Sequence, residues 1–388
     1  MRRERFVLLV LMLLISAFVA VTTACDADAD DDDADDDTID DDDTVDDDDT
    51  ADDDDDDDSE PLEPVYGYAV WPGETGPDEL AEWYPFFAER GSELYIEVFE
   101  EWIESRDEDV ARIFVEAAQA GVHTRPYIIL PYEDGVYPNE ANFDQFFGDV
   151  KAMIQWADDE DLPIDWIGVD METPVQMADE LTRLLAEFKL FDIYALLWDH
   201  RDPLGWQQSV ANYQELVDYC HDHDFKVHAI SFPFALDDYA DDDFGLQDAF
   251  DIVMSEVEWD EVDFMVYRTM YRGATGLPFT SDMVYRYAQK EREIWGDKAS
   301  VFIGLVLWDG WFEGDLGYAE PVELEQDIEA ALAAGISRIH VFYLTGLLEK
   351  DDPEAWMEPD VVDYEPPVSD PWSWMMIELG MPLFDVIM

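Results

Sequence analysis

The chain has 388 residues, with 98 Asp or Glu against 20 Lys or Arg, a formal net charge of −78 at pH 7. That balance excludes nucleic acid as a partner, because no basic patch is available to neutralise phosphates. Two cysteines exclude a disulfide framework, and residues 61–388 have the length of one large α/β domain.

Residues 1–25 run from Arg2, Arg3 and Arg5 through an apolar stretch, 6–21, to Thr22-Thr23-Ala24-Cys25. A basic start, a short apolar region and a small-residue site describe a secretory signal rather than a membrane span. With Cys25 at its end, the segment resembles a bacterial lipoprotein signal, although Thr22 stands where that pattern usually has Leu. The resemblance implies that Cys25 is lipidated, becomes the mature N-terminus, and anchors the protein to the cell envelope. An ordinary signal peptide with an incidental cysteine, or an uncleaved anchor, is the other reading.

Residues 26–60 are nearly all aspartate, with tandem units of Thr, one variable residue and a run of four aspartates, starting at Thr38, Thr44 and Thr50. Such a tract repels itself and has nothing to bury, so it is expected to be a disordered spacer. Asp26, Asp28 and Asp30 have the spacing of a calcium loop, but its glycine turn and later glutamate are missing.

From Val65 onward, short β-rich apolar runs alternate with amphipathic stretches, the pattern of βα units. Strands are expected at 65–71, 94–99, 124–130, 164–171, 226–232, 262–268, 300–308 and 338–344. Helices between them end at glycines: 78–90 at Gly91, 107–120 at Gly121 and 322–334 at Gly335, and Asp370-Pro371 opens a last short helix. The run 193–198 reads either as a ninth strand or as the end of a long helix from Val175. The helical spacing of Met177, Leu181, Leu184, Leu185 and Phe188 favours the helix, with a second one over 209–223. Eight repeats favour a (β/α)8 TIM barrel, expected to be a single domain and a monomer.

The fourth strand ends in Asp165-Trp166-Ile167-Gly168-Val169-Asp170-Met171-Glu172. Residues two apart on a strand share a face, so Asp170 and Glu172 project together at the barrel end where chemistry resides. A glycosidic oxygen is a poor leaving group and needs an acid to protonate it while negative charge supports the oxocarbenium-like centre. Two close carboxylates push one pKa up, which suits Glu172 to that role. Trp71, Trp308, Trp311 and Tyr271 fall at or just after strand ends and offer stacking surfaces. The plainer readings are a solvated acid pair and aromatics that serve packing.

This segment resembles the fourth-strand signature D-G-x-D-x-D-x-E of glycoside hydrolase family 18, the chitinase-like barrels. Asp165, Asp170 and Glu172 match, while Trp166 and Gly168 replace a glycine and the middle aspartate. Asp263-Phe264-Met265-Val266-Tyr267-Arg268 is similar to the family's sixth strand, with Arg268 in place of its closing aspartate. The third-strand S-x-G-G element is absent from 127–132, and Tyr343 stands for the eighth-strand tryptophan. The resemblance implies Glu172 as general acid, Asp170 orienting an N-acetyl group that attacks the anomeric carbon, and Tyr267 hydrogen-bonding the same carbonyl.

The function expected is hydrolysis of an N-acetylated glycan by substrate-assisted acid catalysis, with no metal and no cofactor. A non-catalytic glycan-binding barrel, and a two-carboxylate glycosidase pairing Glu172 with Glu97 or Asp309, stay open. Arg268 suits an anionic sugar or carboxylate, and His228 on the fifth strand also faces a possible ligand. Glu97, polar within an apolar strand, asks for a partner such as Arg125. His221 and His223 with Asp222 and Asp224 read as a solvated turn rather than a metal cluster, and Cys220 as a buried structural thiol.

Overall fold

The computed structural model describes residues 62–187, 189–240, 244–275, 277–306, 317–357, 361 and 364–380. Eight parallel strands close in sequence order: β1 Val65–Val70, β2 Glu93–Phe99, β3 His123–Ile129, β4 Trp166–Asp170, β5 Lys226–Ser231, β6 Glu261–Val266, β7 Ala299–Gly304 and β8 Arg338–Phe342. Closure is direct, with Val65 opposite Arg338 and Tyr68 opposite Val341. Helices cover the outer faces, so both sides of the sheet are buried and the strands carry near-continuous apolar runs. This is a (β/α)8 barrel.

Local chemistry sets the element ends. Asp107 accepts hydrogen bonds from the N–H groups of Asp109 and Val110 at the start of helix Glu108–Ala120. Gly121 closes that helix at φ 87°, a left-handed turn that glycine adopts without strain. Prolines open helices Pro77–Arg90, Pro203–Asp222 and Pro321–Ala333, where a missing N–H costs nothing. The run 193–198 is helical, within Leu190–His200, which follows helix Val175–Ala186 as a separate element. No helix among the described residues is long and apolar enough to cross a membrane.

The barrel interior is unusually polar below its mouth. Arg125 is 1% exposed and bonds Glu93 Oε2 at 2.6 Å and Glu261 Oε1 at 2.9 Å, with its guanidinium 3.9 Å from the Trp166 ring. The expected Arg125–Glu97 pair is therefore replaced by Arg125–Glu93 and Arg125–Glu261. Register explains the change: Arg125 lies opposite Tyr95, and its side chain runs towards Glu93, while Glu97 lies one layer nearer the mouth, opposite Tyr127.

Candidate active site

The site is assembled from the C-terminal ends of the strands. Asp170 ends β4, and the chain continues in register beside β5, where Met171 N–H donates to Ile230 O (2.8 Å) and Ser231 Oγ donates to Met171 O (2.9 Å). Glu172 N–H then donates to Pro138 O in the loop after β3. That loop is itself braced, because Asn142 Nδ2 donates to the carbonyls of Asp134 and Tyr137, and Tyr213 Oη donates to Asn139 O. Both carboxylates are thus held on extended backbone, two residues apart, with Asp170 8% and Glu172 3% exposed.

They line one cleft together with Glu97, Tyr267, Trp71 and Tyr271. The cleft holds ≈ 50 Å³ of free space, below the roughly 300 Å³ at which small-ligand sites begin, so a sugar ring enters only as lining side chains move. Among the described residues its lining contains carboxylates and aromatics but no Lys, Arg or His. Such a surface disfavours anions and suits a neutral polyol that can stack on rings.

Tyr267 follows β6 directly, and its neighbour Thr269 pins the segment to β7 by donating to Gly304 O (2.8 Å) and accepting from Leu305 N–H (2.6 Å). Arg268 takes the opposite direction from Tyr267. It is buried against Asp327 at 2.8 Å and reaches Glu323 O on helix Pro321–Ala333, and it does not line the cleft where it was expected to meet an anionic sugar. Parity is the reason: Met265 and Tyr267 line the cleft, and the next residue falls on the outer side. Tyr343 packs on Trp71 with ring centroids 4.7 Å apart and does not line the cleft itself. His228 lies deep in the interior, fully buried, away from the cleft lining. Trp308, Asp309, Trp311 and Cys25 lie outside the described residues.

Tyr127 was not singled out by the sequence. Gly168 faces it closely: a Cβ at position 168 would sit 3.1 Å from Pro126 O and 3.6 Å from the Tyr127 ring. The aspartate of the family pattern therefore fits here only if the backbone at Pro126 gives way, with the Tyr127 ring in contact beside it. Burial, aided by the charges of Asp170 and Glu97 and by Tyr267, holds the Tyr127 phenol well above its ordinary pKa, so it stays a proton donor beside the carboxylates. A pairing rule could not have shown this, since β3 and β4 share only the Tyr127–Gly168 register.

Fold and cleft define a class: a (β/α)8 barrel with carboxylates gathered at its C-terminal mouth. No family model matches the chain, and no curated protein matches it. The PgaB (BpsB) glycoside hydrolase domain from Bordetella bronchiseptica superposes with a TM-score of 0.50 at 10% identity, covering 76% of this chain and 97% of that one. A D-allulose 3-epimerase from Methylomonas sp. reaches 0.41 at 11% identity, over 84% of this chain and 98% of that one. At such identities the likeness establishes the barrel and nothing finer.

Proposed function

We propose that the protein is a glycoside hydrolase acting on an N-acetylated glycan. The observation that carries the reading is the convergence of Asp170, Glu172, Tyr267, Trp71 and Tyr271 on one cleft at the mouth of the barrel. Glu172 protonates the departing glycosidic oxygen, Asp170 orients the N-acetyl group, and Tyr267 donates to its carbonyl while that oxygen attacks the anomeric carbon. Tyr127 gives Asp170 a neutral neighbour where the related barrels have a second aspartate. The fold it shares with a glycoside hydrolase domain supports the assignment.

A second reading is favoured by one observation: Glu97 lines the same cleft as Glu172. In that mechanism Glu97 is the base or nucleophile and the N-acetyl group is dispensable. Release of reducing ends from chitin, peptidoglycan and acidic polysaccharides, measured beside Asp170→Asn and Glu97→Gln, separates the two. Loss in Asp170→Asn with dependence on the N-acetyl group supports substrate assistance, and loss in Glu97→Gln with deacetylated substrates still cleaved supports the carboxylate pair.

On the same reading the enzyme is tethered by a lipidated Cys25 and held off the membrane by the aspartate tract. Cys25→Ser is expected to move it from the membrane fraction to the soluble fraction, and unchanged partitioning contradicts the anchor.

A further inference from the structure

Beneath the cleft, His228 on β5, Glu261 on β6 and His340 on β8 come together inside the barrel. All three are at most 2% exposed, and one ligand atom from each lies within 4.8 Å of the others. His228 Nε2 is 3.9 Å and His340 Nε2 3.8 Å from Glu261 Oε1. We propose that this cluster is a structural site for one divalent transition-metal ion of the zinc class, bound by His228 Nε2, His340 Nε2 and Glu261 Oε1.

Two independent features point to an ion. His228 has no hydrogen-bond partner at either ring nitrogen although it is completely buried, and a buried imidazole left so needs a ligand to explain it. His340 is already oriented as a metal-binding imidazole. Its Nδ1 is hydrogen-bonded to Asp263 Oδ2 and its Nε2 faces the cluster, the carboxylate–histidine arrangement that orients ligands around metals. The Tyr95 hydroxyl is hydrogen-bonded to Nε2 at 2.6 Å, so an entering ion has to displace that hydrogen bond, with the hydroxyl turning aside or becoming a fourth ligand. Zinc bonds of about 2.0–2.2 Å need only a modest contraction of the observed spacings.

The ion would staple β5, β6 and β8 under the floor of the cleft, where Tyr95 also contributes to the lining. It lies below the carboxylates and takes no part in the proposed hydrolysis, so its test is independent of activity. The full chain is unfolded in chelator, refolded with and without Co²⁺, and checked for native circular dichroism. The visible absorption of Co²⁺ in a low-symmetry nitrogen and oxygen site distinguishes this ion from cations held diffusely by the aspartate tract. One such Co²⁺ per chain, displaced by Zn²⁺, is expected in the wild type. His228→Gln should abolish the spectrum, and Asp263→Asn should weaken binding about 10- to 100-fold, as loss of an orienting carboxylate does. A folded wild type with no such spectrum, whether Co²⁺ is supplied before or after refolding, overturns the proposal. So does a spectrum that survives His228→Gln.

Discussion

At position 168 a single missing side chain decides how the site is built. The glycine first reads as a lost acid, yet the backbone of Pro126 comes so close that a Cβ has almost no clearance. Pro126 has no N–H to contribute to the ladder, and β3 meets β4 at one register pair only. Gly168→Asp is therefore expected to cost about 1–3 kcal/mol of stability through overpacking, without restoring a family-like site. Chemical denaturation of the variant checks this, and a variant as stable as the wild type contradicts the close-packing account. That Asp170 and Glu172 face one cleft was legible from period-two alternation at a strand end, and Tyr267, which lines it too, was named through the family resemblance. Tyr127 was not, since its importance comes from the neighbour across the sheet.

Whole elements were read most easily where the hydrophobic period was strong. Each expected strand has its counterpart within a few residues, and the helix over 193–198 follows from apolar spacing that a strand does not share. Side-chain partners between elements were harder, as Arg268 illustrates. Sequence places it beside a site tyrosine, but the chain turns into helix Arg268–Thr275 and the guanidinium pairs with Asp327 on another helix. Asp327 is fully buried, and Tyr318 Oη also donates to it, at 2.7 Å. Removing the cation strands a buried carboxylate, so Arg268→Met is expected to destabilise the fold by about 3–5 kcal/mol. Thermal or denaturant unfolding measures the loss. Any residual glycan turnover should keep its preference for neutral or charged substrates, and a changed preference would return Arg268 to the site.

Across the whole molecule, excess negative charge coexists with acids that the fold keeps protonated. Burial, reinforced by Asp251, raises Glu140 to about 8, and burial beside Glu100 raises Asp149 to about 7. In the unfolded chain both lose their protons near the ordinary carboxylate values of 4.5 and 3.8. The folded state therefore binds more protons between about pH 4 and 8, and its stability falls as pH rises through that window. The melting temperature should be higher at pH 5.5 than at pH 8, and Glu140→Gln should flatten the difference. A melting temperature that rises towards pH 8 contradicts this assignment. Composition announced the net charge, but which carboxylates stay neutral depends on burial that only the folded chain creates.

The central claim is that the cleft cleaves glycans with Glu172 as its acid, and the most direct measurement compares full-length protein with Glu172→Gln in release of reducing ends from chitin, peptidoglycan and acidic polysaccharides. The account predicts turnover of at least one N-acetylated glycan and a loss of about 10²- to 10⁴-fold in the variant. An unchanged rate in Glu172→Gln, or binding to every glycan without turnover by the wild type, would contradict it.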